Sequence, residues 1–174
     1  ALAARAFSTV LVWMGMMTAV LDILKGVLAV WVARWLMPVS IWPQVLAGTA
    51  AVFGHNWSLW LYLLTGRLNA GAGTGPNLGA ALVFWHPLAL IVIPIVLFCV
   101  FVIGYASVAS IAAAVAIVLI LYWQSSTAGL PWQYIIYGIA TLVMVVWALR
   151  PNIQRLIEGT ERRVGIFAQR SAHS

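Results

Sequence analysis

Long apolar runs, broken by short polar punctuation, fill the chain from Phe7 to Leu149. A membrane span needs about 20 apolar residues, and cutting the runs at proline, glycine and charge predicts six helices. They cover approximately Phe7 to Trp35, Trp42 to Leu64, Gly75 to Trp85, Leu88 to Gly104, Ser107 to Trp123 and Trp132 to Leu149. The third is too short for a lipid-exposed span. It reads either as a half-helix packed inside the protein or as the start of one long helix over 75–104, bent at Pro87 and Pro94. After the last run the pattern changes. LRPNIQRLIEGTERRVG, from Leu149 to Gly165, holds four of the nine basic and two of the three acidic residues, and predicts a polar helical cap. Residues 1–149 thus form a transmembrane helical domain and 150–174 a basic C-terminal tail.

Composition agrees with the pattern. The 174 residues are 64% hydrophobic and 7% charged, with a mean hydropathy of +1.05, more apolar surface than a globule of this size can bury. The fold class is therefore all-α, a polytopic transmembrane helical bundle. With six segments, Arg5, Arg67, Arg150, Arg155, Arg162, Arg163 and Arg170 share one side and only Arg34 lies opposite, which assigns the tail to the cytosol. Tryptophans such as Trp35, Trp42, Trp85, Trp123, Trp132 and Trp147 fall near predicted helix ends, as interfacial belts require. The net charge of +6 forms no basic stripe with stacking aromatics, so nucleic acid is not an expected partner. Cys99 stands alone in an apolar run; neither a disulfide nor a metal or cofactor site is expected.

Polar residues inside apolar runs are the candidates for chemistry. Asp22 and Lys25, in LDILKG, share a helical face, and buried charges of this kind pair or line a polar cavity. His55 and Asn56 follow Gly54 inside the second run. His86, before Pro87, suits a turn. The stretch GRLNAGAGTGPNLG, from Gly66 to Gly79, includes Arg67, Gly71 and Gly73 and precedes a helix start, where free backbone N–H groups favour phosphate. It lacks the Lys-Ser/Thr ending of a P-loop. Ser107, in YASVAS, is placed to cap the fifth helix. In the tail, Arg150 and Asn152, and Arg155 and Glu158, have spacings that bring them together on one turn, and arginines suit bidentate phosphate binding. The charged and glycine-rich elements converge on one cytosolic face above Lys25 and bias it towards anions.

Read together, LDILKG, the Gly-His pair with the small-residue loop, YASVASI and NIQRLIEGTE resemble the bacterial acyl-phosphate:glycerol-3-phosphate acyltransferase family over nearly the whole chain. The resemblance implies a seven-helix enzyme of the bacterial inner membrane with a cytosolic active site. Such an enzyme transfers an acyl group from acyl phosphate to glycerol 3-phosphate, giving lysophosphatidic acid for phospholipid synthesis. The six helices would be the last six, with the first helix and a Gly-Ser motif upstream of Ala1. Lys25, Ser107, Asn152 and Glu161 fall on family motif positions, and Gly54 and His55 on its Gly-His pair. Catalytic roles are expected for Lys25, His55, Arg67, Ser107 and Asn152. Gly71, Gly73, Arg150 and Arg155 are expected to bind substrate phosphate, and Asp22, Gly54 and Glu161 to support the site. Membrane lipid and the two phosphate substrates are the expected partners.

Two positions depart from the family pattern. The lysine of its Gly-Gly-Lys-Gly loop is replaced by Ala72 or, with a five-residue insertion, by Arg67; Leu149 stands where the family has a histidine. These departures motivate an alternative: a catalytically degenerate relative serving as a subunit of a larger, energy-transducing or pigment-bearing membrane complex. A transporter, with Asp22, Lys25 and His55 on a permeation path, ranks third because no inverted repeat is visible.

Overall fold

A computed structural model describes residues 2–66 and 71–164, with side chains from Trp13 onward except at 59–61. Arg5, Arg67 and Arg170 lie outside the described side chains. Among the described residues all regular structure is helical. The elements are α1 (Leu2–Leu36), α2 (Trp42–Asn56), α3 (Leu59–Thr65), α4 (Thr74–Phe84), α5 (Ala89–Phe98), α6 (Ala106–Ala128), α7 (Gln133–Ala148) and α8 (Arg150–Ile157). A 3-10 turn at His86–Leu88 precedes α5 and a π turn at Cys99–Ile103 follows it.

A helix stands at each of the six predicted places, and the structure refines three of them. The run predicted as one helix from Trp42 to Leu64 is broken after Asn56, so α2 and α3 are separate. The choice over residues 75–104 falls to the half-helix, because Trp85 is extended (φ −153°, ψ 99°) and ends α4 before Pro87. The polar cap is the short helix α8, bent 59° from α7. By length and composition three segments suffice to cross a membrane, Trp13–Leu36, His86–Ile103 and Ala106–Ala128, and the bent α7–α8 pair makes a fourth. The chain is a multi-pass membrane protein.

The 11-residue α4 spans only about 16 Å at 1.5 Å per residue, and it is the centre of the bundle. Pro76 to Ala81 and Phe84 are all buried, and they join Val30, Val45, Leu88, Ile117, Leu121 and Tyr137 in one core. Lipid offers apolar groups no less apolar surroundings than a core does, so close packing rather than water exclusion holds such helices together. The glycines supply that closeness. A Cβ on Gly79 would strike the Ile23 carbonyl oxygen of α1, and one on Gly26 would strike the Pro76 carbonyl oxygen of α4.

At the end of α4 remote from the glycine loop, polar groups satisfy one another. Arg34 donates from Nε to Gln44 Oε1 (3.1 Å) and from Nη2 to the Val83 carbonyl (2.9 Å), and Tyr134 donates to the same Gln44 oxygen at 2.8 Å. The lone arginine of that side thus caps the C-terminal carbonyls of α4. Tyr134 also stacks on Phe84, ring centroids 4.1 Å apart.

Replacing Gly79 with alanine is expected to cost about 1–3 kcal/mol, the usual penalty of overpacking. Gly15→Ala, where a Cβ meets nothing within 4 Å, should be neutral or stabilising by up to about 1 kcal/mol. Reversible unfolding in mixed micelles compares the two.

Candidate active site

Antiparallel packing of α1 and α2 sets Asp22 against His55. The Asp22 carboxylate pairs with Lys25 Nζ at 2.6 Å, the i,i+3 pair expected from LDILKG, and the same oxygen lies 3.5 Å from His55 Nδ1. Asp22 and His55 are largely buried, whereas the Lys25 side chain is 55% exposed. The opposite nitrogen of the imidazole, Nε2, faces the glycine loop: a Cβ on Gly71 would sit 2.7 Å from it. Gly54 contacts nothing at its Cβ position and leaves that flank of the helix open.

Residues 71–75 approach this cluster closely because Gly71, Gly73 and Gly75 have no Cβ to hold them away. Gly73 has φ +70°, a left-handed conformation that disfavours any Cβ, and a Cβ there would strike Asn56 Oδ1. A Cβ on Gly75 would meet Asp22 Cβ at 2.7 Å. Gly73 is the N-cap of α4, and no side chain caps that end. The N–H groups of Thr74 and Gly75 therefore belong to the unsatisfied first turn, at the positive end of the helix dipole, while Pro76 has none to offer. Beside them, both amide atoms of Asn56 and the Thr74 hydroxyl are buried without a hydrogen-bond partner; Asn56 is 1% exposed. Buried polar atoms rarely go unpaired, and three of the five such side-chain atoms among the described residues lie at this helix end.

An apolar cavity of about 410 Å³ opens next to this centre between α1, α4 and α5. Asp22, Thr74 and Gly75 form its polar end, and Leu78, Ile93 and Leu97 line the apolar remainder.

A second polar cluster belongs to the tail. Asn152 donates to Glu161 Oε1 at 2.8 Å and Arg155 to Oε2 at 3.3 Å, and the Glu161 side chain is only 5% exposed. This clamp folds residues 160–164 back towards the turn before α6, where Val164 N–H donates to the Gly104 carbonyl (2.9 Å) and Arg163 Nε to the Tyr105 hydroxyl (3.3 Å). Ser107 does not cap α6: the N-cap is Tyr105 with no side-chain bond, and the Ser107 hydroxyl is buried and unpartnered. The correction follows from register, since α6 begins at Ala106, one residue earlier than predicted. Ala72 packs against the small core of Ala114, Val145 and Leu149, against which Ile111 and Ile153 also pack, so residues 71–75 lie between α1 and α2 on one side and the α6–α7 core on the other.

The structure thus brings together Asp22, Lys25, His55, Gly71 and Gly73, and separately Asn152, Arg155 and Glu161. It parts Arg150 from Asn152, which lie about 200° apart around α8 at 100° per residue; Arg150 instead stacks over Trp147, 4.7 Å from the ring centroid. Glu158 takes Gln154 as its partner (3.1 Å), not Arg155. Arg67 lies outside the described residues. Sequence reasoning passed over Thr74 and left Asn56 out of the expected site; the signal available for Asn56 was an amide beside a histidine in an apolar run.

Comparison with known proteins agrees with this architecture. A family model described as glycerol-3-phosphate acyltransferase matches residues 3–159. The chain is similar to the glycerol-3-phosphate acyltransferase of Gloeobacter violaceus, 35% identical over 148 residues that cover 83% of this chain and 67% of the relative. It is likewise similar to glycerol-3-phosphate acyltransferase 2 of Moorella thermoacetica, 37% identical over 158 residues, 87% and 72% of the two chains. Among solved structures it superposes on PlsY (YgiH), an integral membrane glycerol 3-phosphate acyltransferase, in its glycerol 3-phosphate form. The TM-score is 0.74 at 28% identity, over 88% of this chain and 72% of that one. The lysophosphatidic acid form gives the same TM-score at 27% identity, over 89% and 74%. These comparisons give the reading as a non-catalytic subunit no support.

Glu161→Ala leaves Asn152 and Arg155 without their acceptor, and should weaken the 160–164 strap by about 1–3 kcal/mol. Amide exchange at Val164 is expected to accelerate accordingly, whereas Glu158→Ala, at an exposed pair, should change it by less than about 0.5 kcal/mol. Hydrogen exchange read by mass spectrometry checks both.

Proposed function

Since the chain belongs to the glycerol-3-phosphate acyltransferase family, we propose that it transfers an acyl group from acyl phosphate to glycerol 3-phosphate, releasing lysophosphatidic acid and phosphate. The observation that carries this reading is the Lys25–Asp22–His55 cluster set against the uncapped N-terminus of α4.

The acyl donor is a mixed anhydride, already activated, so no covalent enzyme intermediate is needed; positioning and charge stabilisation suffice. A glycerol 3-phosphate hydroxyl attacks the acyl carbonyl carbon, the new C–O ester bond forms, and the C–O bond to phosphate breaks. His55 takes the proton of the attacking hydroxyl at Nε2, with Asp22 holding Nδ1 as the protonated nitrogen, an orientation role carboxylates have beside catalytic histidines. Lys25 and the Thr74 and Gly75 N–H groups offset the charge that develops on the departing phosphate. Asn56 offers a donor and an acceptor to the same centre. The cavity beside Asp22 and Thr74 suits the acyl chain, apolar along its length and polar where the reacting carbonyl lies.

The second phosphate, that of glycerol 3-phosphate, is assigned to the tail side of the loop, with Ser107, Asn152 and Arg155, the last two held by Glu161. Arg67 is proposed to supply the cation that the family places within its glycine loop. The site is proposed to work from the cytosolic side of the bacterial inner membrane, the side that the arginine distribution assigns to the tail.

Purified protein given acyl phosphate should release phosphate only when glycerol 3-phosphate is present, and the organic product should be lysophosphatidic acid. Lys25→Ala and His55→Ala are each expected to lower kcat about 10²–10³-fold, the usual loss for one electrostatic or acid–base group. Release independent of glycerol 3-phosphate, or unchanged turnover in both variants, would contradict the assignment.

A further inference from the structure

A second cavity, also of about 410 Å³, lies on the outer side of the α7–α8 bend and is lined by Val143, Val146, Trp147, Arg150 and Ile153. Its walls are apolar and well exposed: Val143 at 61% and Trp147 at 59%. Its only charge is Arg150, laid over the Trp147 ring at 4.7 Å. Among the described residues no carboxylate pairs with Arg150. Glu161 is taken by Asn152 and Arg155, and Glu158 by Gln154.

Helical geometry explains why this arginine is left over. On α8, Arg150, Ile153 and Ile157 fall on one face and Asn152 and Arg155 on the other. Ile157 is 82% exposed, so the Arg150 face is an apolar stripe with a cation at its start, turned 59° off the apolar helix α7. A short helix of this pattern at the end of a span belongs at the lipid interface. Tryptophan and arginine are interfacial anchors there, and stacking on the ring orients the planar guanidinium for bidentate phosphate contact.

We propose that the α7–α8 groove binds an anionic membrane phospholipid, its phosphate on Arg150 and an acyl chain along Val143, Val146 and Ile153. Charge complementarity selects this occupant. A zwitterionic lipid brings its own cation with its phosphate and leaves the arginine's charge uncompensated, and a small soluble anion leaves the apolar walls unanswered. An amphiphile with an anionic head and an apolar tail answers both. The face is the reverse of the one carrying Asn152 and Arg155, so the groove is a separate lipid site of the enzyme's own membrane.

The test is electron spin resonance of the full chain in phosphatidylcholine bilayers containing chain-labelled phosphatidylglycerol or, separately, chain-labelled phosphatidylcholine. The motionally restricted fraction yields the relative association of each lipid. One surface cation is worth about a fivefold preference for the anionic lipid, and Arg150→Gln is expected to remove about that factor, while Arg150→Lys retains most of it. Val146→Trp keeps the charge but fills the groove, and is also expected to reduce the preference. Circular dichroism and thermal unfolding establish that each variant is folded. An unchanged preference in folded Arg150→Gln overturns the proposal, as does one unchanged in Val146→Trp, which would trace selectivity to the remaining arginines or leave the groove to a protein. No substrate is present, so the outcome stands apart from the catalytic assignment.

Discussion

The close approach of α4 to α1 is the constraint on which the rest of the structure depends. Carbonyl oxygens of each helix occupy the space that a Cβ would need on the other, at Gly26 and Gly79. In lipid, where expelling water contributes nothing, this contact supplies dispersion along two backbones. It also sets the register, so that the start of α4 stops level with Asp22 and its end level with Arg34. A half-helix held this way exposes its unsatisfied N-terminus inside the protein, at membrane depth tolerable only where a polar cavity or partner receives it.

The two ends of α4 are treated differently, and the contrast is informative. At the C-terminal end Arg34, Gln44 and Tyr134 close a hydrogen-bonded network on the Val83 carbonyl. That end is structural, with the Arg34 guanidinium and the Gln44 carbonyl oxygen answered by the protein. At the N-terminal end Asn56 and Thr74 are buried and unanswered, with Ser107 likewise unpartnered on α6. Unpaired buried polar atoms cost about 1–3 kcal/mol each. Three of the five such atoms among the described residues, those of Asn56 and Thr74, lie at the glycine loop, as in a site that receives a polar ligand, while Gln133 Oε1 belongs to the start of α7.

The tail divides its residues in the same manner. One face of α8 carries Asn152 and Arg155, joined to Glu161. The other turns towards lipid with Arg150 and Ile157. A single short helix therefore faces both the reaction centre and the bilayer, fitting for chemistry that joins a soluble phosphate to a membrane-bound chain.

Much of this was legible in the residues themselves. Apolar run length alone predicts the helices to within a few residues, because lipid imposes a length that the chain must meet. The Asp22–Lys25 pair follows from i,i+3 spacing, and the glycine loop from the absence of side chains before a helix start. The break after Asn56, the Ser107 register and the partnering of His55 with Asp22 had no local signal, since each depends on what packs opposite. Arg150 and Asn152, two positions apart, read as one cluster in sequence and stand on opposite faces in space. Local periodicity determined which segments are helical and which residues are polar. Only the tertiary packing of α1, α2 and α4 decided which of those polar groups meet, because a helix fixes the direction of its side chains but not the identity of its neighbours.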